Sequence, residues 1–102
     1  ARQHGTMVFE IGALLVRARV LRAADGARAA TEIAATLADA TALVDTTGAR
    51  AYLPFIHVER AALARLGGDE VARARELGEA HRLFTEMGAP IRAQQVATEL
   101  GG

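Results

Sequence analysis

A chain of 102 residues has the size of one domain with a single modest core. Hydrophobic residues at 51% and charged residues at 24% exclude a disordered tail, and no apolar run approaches the roughly 18 to 20 residues that span a bilayer. Twelve Lys plus Arg balance twelve Asp plus Glu, leaving no net field to gather nucleic acid or anionic lipid, and the lack of cysteine excludes disulfides, thiolate catalysis and cysteine-bound metal.

The dominance of alanine, leucine, arginine and glutamate, with only two prolines, predicts helix almost throughout. A first helix is expected over residues 6–24, with Thr6 as its N-cap and Gly26 just past its end. Met7, Ile11, Leu14, Ala18 and Leu21 form its main apolar stripe. Val8, Leu15 and Val16 widen that stripe, so neighbours should cover the helix on more than one side or leave a sticky face.

Asp25 is expected to cap a second helix over 25–45, striped by Ala30, Ile33, Leu37, Ala40 and Val44 and stopped by Gly48. A third helix over 50–66 accommodates Pro54 in its first turn, where amides have no intrahelical acceptor to lose. Tyr52, Phe55, Ile56, Leu63 and Leu66 supply its packing face. Gly67 and Gly68 end it, and Asp69 with Glu70 opens a fourth helix over 69–87, lined by Val71, Leu77, Ala80, Leu83, Phe84 and Met87. Gly88 closes the fourth helix and Pro90 starts a last one, with Ile91, Val96 and Leu100, that runs to about Leu100.

About five helices joined by short connections must lie antiparallel: a hairpin over 6–48, a hairpin over 50–88 and a closing helix over 90–100, all in a single domain spanning 1–102. Weak internal repetition agrees with stacked hairpins. A shift of about 43 positions sets Gly5 on Gly48, Arg17 on Arg60, Ala18 on Ala61 and Val20 on Leu63; a shift of about 40 sets Gly48 and Ala49 on Gly88 and Ala89.

Within residues 57–90, the set Ala61, Leu63, Leu66, Gly67, Gly68, Asp69, Ala72, Ala80, Phe84, Gly88 and Pro90 resembles a tetratricopeptide (TPR) repeat. This stretch covers about one third of the chain; it lacks the family's usual tryptophan, and the apparent period exceeds the familiar 34 or so. The phrase Arg82 to Pro90 is similar to one that precedes the final helix of degenerate repeats at the carboxyl end of large bacterial signalling ATPases, including cyclase-like and LuxR-type regulators. That resemblance implies an all-α fold of TPR-like hairpins in a right-handed solenoid, forming a regulatory or protein-interaction arm of a larger protein. None of the cyclase, ATPase or DNA-binding motifs of such parents occurs here.

Signs of chemistry are sparse. His4, His57 and His81 fall on different segments and outside the spacings that place metal ligands on one helical face, so no metal or cofactor is expected. Glu59, Glu76 and Glu79 would meet only if the third and fourth helices packed face to face. Glu76 and Glu79, with Arg73, Arg75 and Arg82 nearby, read instead as a solvated salt-bridge face. Serine is absent, and the loop at Gly67, Gly68 and Asp69 lacks a following lysine, which argues against a serine nucleophile and a phosphate loop. Arg17, Arg19 and Arg22 recur along what reads as one side of the first helix, without aromatic residues for base stacking.

The reading is therefore a non-enzymatic interaction segment that binds a protein, a peptide or another domain of its parent. Arg17, Val20, Tyr52, His57 and Arg60 are expected to be presented by the first and third helices. The alternative is a capping module, or a homodimer formed through Val8, Leu15 and Val16; a ligand-binding bundle around Glu59 and His81 is the third reading. A reducing, cytoplasmic setting is expected from the lack of cysteine. A chain that opens with Ala1 and Arg2, without a signal-peptide pattern, reads as a piece of a longer protein.

Overall fold

The computed structural model describes residues 4–101, and every regular element among them is helical. Helix α1 spans His4–Asp25, α2 Ala30–Thr47, α3 Leu53–Leu66, α4 Glu70–Glu86 and α5 Pro90–Gly101. Short 3-10 turns at Gly26–Ala29 and Arg50–Tyr52 lead into α2 and α3.

Local chemistry sets most of these boundaries. The Asp69 carboxylate accepts the Ala72 amide at 3.0 Å, a side-chain N-cap for α4. Pro54 sits in the first turn of α3 and Pro90 is the first residue of α5, as positions without an intrahelical amide partner allow. The ends of α3 and α4 are built alike. The Asp69 amide reaches the Ala64 carbonyl and the Gly68 amide that of Arg65, while Ala89 reaches Phe84 and Gly88 reaches Thr85. Gly68 and Gly88 hold the left-handed conformation (φ 73° and 72°) that this ending needs and that a side chain would strain.

Two of the expected caps are corrected. Thr6 lies inside α1, which already begins at His4. Asp25 is the last residue of α1 and makes no capping hydrogen bond, because the chain tightens into a 3-10 turn before α2 starts at Ala30. Helix α2 also runs past Asp45, with the Thr46 and Thr47 hydroxyls donating to the carbonyls of Ala42 and Leu43. Tyr52 lies in the turn before α3.

Each helix packs chiefly on its sequence neighbours, and α1 also touches α3, giving a flat body of 43 × 35 × 18 Å. One core cluster joins Ile11, Leu15 and Ala18 of α1 to Ile33, Leu37, Ala40 and Val44 of α2 and Ile56 of α3. A second joins Ala61 of α3 to Leu77, Ala80 and Phe84 of α4 and Ala93 and Val96 of α5. Phe55 packs against both. Alanine fills many of these positions, which lets the helices approach closely but leaves the larger side chains to provide most of the buried apolar area.

Several apolar residues expected inside lie outside. Val71 and Ile91 are largely exposed, and Met87 and Leu100 are exposed as well. They stand near helix ends, on faces that no neighbouring helix covers. Leu15 is buried in the first core cluster, in keeping with the expectation that neighbours cover the first helix on more than one side, since both α2 and α3 pack on α1, while Val16 beside it stays exposed.

Candidate functional site

The surface with the clearest binding character lies between α1 and α3. Phe9, Gly12, Val16 and Arg19 of α1 face Tyr52 and Phe55 across an open, largely apolar groove of about 550 Å³. Gly12 keeps its wall low, with the Tyr52 hydroxyl 4.0 Å from where a Cβ would stand. Phe9 is 77% exposed although it is large and apolar, so the groove is lined by residues that water solvates poorly. Farther along α3 a second groove of about 490 Å³ is lined by Arg22, Val58, Ala62, Arg65 and Arg73, with Glu99 of α5.

Arginines border both grooves. Glu59, only 8% exposed, is the anchor between them: Arg22 donates to its Oε1 at 3.2 Å, and Arg19 lies 3.7 Å from its Oε2. Two cations converge on one carboxylate, which leaves this part of a neutral chain locally positive. The Nε of Arg22 is buried without an acceptor, since its terminal nitrogen has already taken Glu59. Arg92 of α5 lies over the Phe55 ring, 4.9 Å from its centroid, in a cation–π contact. Arg73 donates to the Glu99 carbonyl and also reaches Glu70.

The residues expected to bind a partner do not share one surface. Val20 is exposed on α1 and Tyr52 lines the α1–α3 groove. Arg17 instead leans towards α2 and meets Glu32 at 3.6 Å. Arg60 donates to the Thr41 hydroxyl of α2 at 2.9 Å, and His57 Nδ1 lies 2.6 Å from Glu76 Oε2 of α4, both partly buried. These two side chains tie α3 to its neighbours. Arg19 belongs to the arginine set noted on the first helix, whereas Phe9, Gly12, Phe55 and Arg92 are additions of the structure; of these, only Phe9 has a sequence signal, its helical spacing from Val16 and Val20. The Arg92–Phe55 contact had no such signal, because the residues are far apart in sequence.

The arginines of α1 are likewise not a strip. Arg17 goes to α2 while Arg19 and Arg22 go to α3, as their angular positions on a helix require. Nor do Glu59, Glu76 and Glu79 gather. Glu59 belongs to Arg19 and Arg22, Glu76 to His57, and Glu79 to Arg82, with Arg82 also bridging to Glu86. Hydrogen bonding from Arg82 holds the Glu79 carboxyl below its usual range, and the same contact raises Arg82. The salt-bridge reading thus holds for Glu79, while Glu76 is taken by a histidine of the adjacent helix. His81 is partly buried on α4; the side chain of His4 lies outside the described residues.

Among the described residues no cluster of three or more His, Asp or Glu is placed to hold a metal ion, and no helix is long and apolar enough to cross a membrane. In comparisons with known proteins the chain matches no family model, and no curated protein or solved structure matches it significantly.

Proposed function

We propose that the chain is a protein-interaction segment without catalysis of its own, acting as a regulatory or scaffold arm within a larger signalling or transcription-regulatory protein. On this reading α1 with α2 and α3 with α4 are TPR-like hairpins of a right-handed solenoid, with α5 as the closing helix. The near-neighbour packing, the flat shape and the like endings of α3 and α4 support it. Fold alone would not indicate a role, so the reading rests on the surface.

The observation that carries the proposal is the apolar α1–α3 groove with its arginine border. Arg19, Arg22, Arg65, Arg73 and Arg92 stand along the two grooves, opposed by Glu59, Glu70 and Glu99. A partner segment that places an apolar side chain between Phe9, Val16 and Phe55 and carries Asp or Glu beside it would match both features. Selection from a displayed random-peptide library tests this. Enriched peptides should pair an aromatic or aliphatic anchor with acidic neighbours, and their binding should shift the amide signals of α1 and α3. Failure to enrich any peptide, or shifts confined to α2 and α4, would overturn the reading.

A further inference from the structure

We infer that the outward face of α1 pairs with the same face of a second copy of this chain, antiparallel, about a two-fold axis passing between Leu14 and Leu15. Phe9, Val16 and Val20 are 77%, 54% and 59% exposed, and Ala13 is exposed between them, so they form one unpartnered stripe opposite the buried Ile11 and Ala18. The steps along the stripe are four, three and four residues. That order reads the same in both directions, so an antiparallel copy sets Phe9 against Val20 and Ala13 against Val16, twice over, as an interface between identical surfaces requires. The axis falls at the midpoint of His4–Asp25, where the two helices overlap along their whole length.

Charge fits the same arrangement. Glu10 and Arg17 lie on one flank of the stripe, and a two-fold axis perpendicular to the helices preserves the flank. Glu10 of each copy therefore comes beside Arg17 of the other, adding two symmetric opposite-charge contacts to the exposed pair that each Arg17 makes with Glu32 of its own chain. Arg19 lies on the other flank near Gly12 of the second copy, so no like charges face each other. A parallel copy, whose two-fold axis runs along the helices, exchanges the flanks, bringing Arg17 beside Arg19 of the other copy and losing the match. One helix-to-helix contact sits at the low end of specific interfaces, near roughly 1,200 Å² in total, so the dimer is a concentration-dependent one.

The pairing covers Phe9, Ala13 and Val16, which also line the α1–α3 groove, so a second copy and a partner segment compete for this face. The test below uses the chain alone, and its failure would leave the groove reading standing. Sedimentation velocity from about 1 µM to about 1 mM should show the mass rising from one chain to two. Val16→Glu should hold it at one chain throughout with an unchanged circular dichroism spectrum. Val71→Glu, on α4, should leave the dimer intact. The native chain has no cysteine, so Phe9→Cys and Val20→Cys variants report orientation. Their mixture should form the mixed disulfide several-fold faster than either forms its own. A single-chain mass at the highest concentration, a dimer that survives Val16→Glu, or faster self-pairing of Phe9→Cys would overturn the proposal.

Discussion

The ring of Phe55 stands edge-on to that of Phe84, with 5.2 Å between centroids and 84° between planes, joining α3 to α4 where the two core clusters meet. Phe84 is buried to 2% exposure, whereas Phe55 is partly buried and touches both clusters, with Arg92 over its ring. This pair connects the two halves of a core otherwise rich in alanine.

Phe84→Ala should therefore cost about 3 to 4 kcal/mol, a large share of the roughly 5 to 15 kcal/mol that holds a domain of this size together. Phe55→Ala should cost less, because its side chain is only partly buried, and the double variant should reveal a coupling of about 0.5 to 1.5 kcal/mol. Urea unfolding of the four proteins checks this; additive effects would show that the ring-to-ring contact contributes nothing beyond burial.

Replacing Glu59 by alanine removes the carboxylate on which Arg19 and Arg22 converge. Both arginines retain access to water, so the loss should be about 1 to 2 kcal/mol, below that of a fully buried pair. Arg19→Ala, at the longer distance and the more exposed site, should cost well under 1 kcal/mol. Thermal melts of the two variants separate these outcomes, and equal losses would contradict the geometry.

Glu79 is held below the ordinary carboxylate range by hydrogen bonding from Arg82. A carboxylate with a depressed folded-state pKa favours the folded chain above its unfolded pKa, and that contribution is lost as pH falls through the folded value. Side-chain carboxyl NMR should give Glu79 a midpoint below that of a solvated glutamate, rising towards it in Arg82→Gln. An unchanged midpoint in that variant would assign the depression to another cause.

Local punctuation was readable in the sequence because it acts through the nearest few residues. Asp69 caps α4, Pro90 starts α5, and Gly68 and Gly88 end their helices, each by a contact within one helical turn. Asp25 failed as a cap because the backbone after it chose a 3-10 turn, an alternative that composition does not distinguish from an immediate helix start. Val71 and Ile91 misled for a related reason: a hydrophobic residue near a helix end is buried only if a neighbour reaches that far.

The sequence by itself determined that the chain is helical and where most helices stop, since propensity, capping and glycine conformation are properties of short segments. Only the tertiary structure decided which charges pair and which surface remains open. Arg22 and Glu59 are 37 positions apart, and His57 and Glu76 are 19 apart. Their meeting depends on the angle and rotation with which one helix settles on the next. That same rotation buries Leu15, exposes Phe9 and Val16, and so forms the α1–α3 groove.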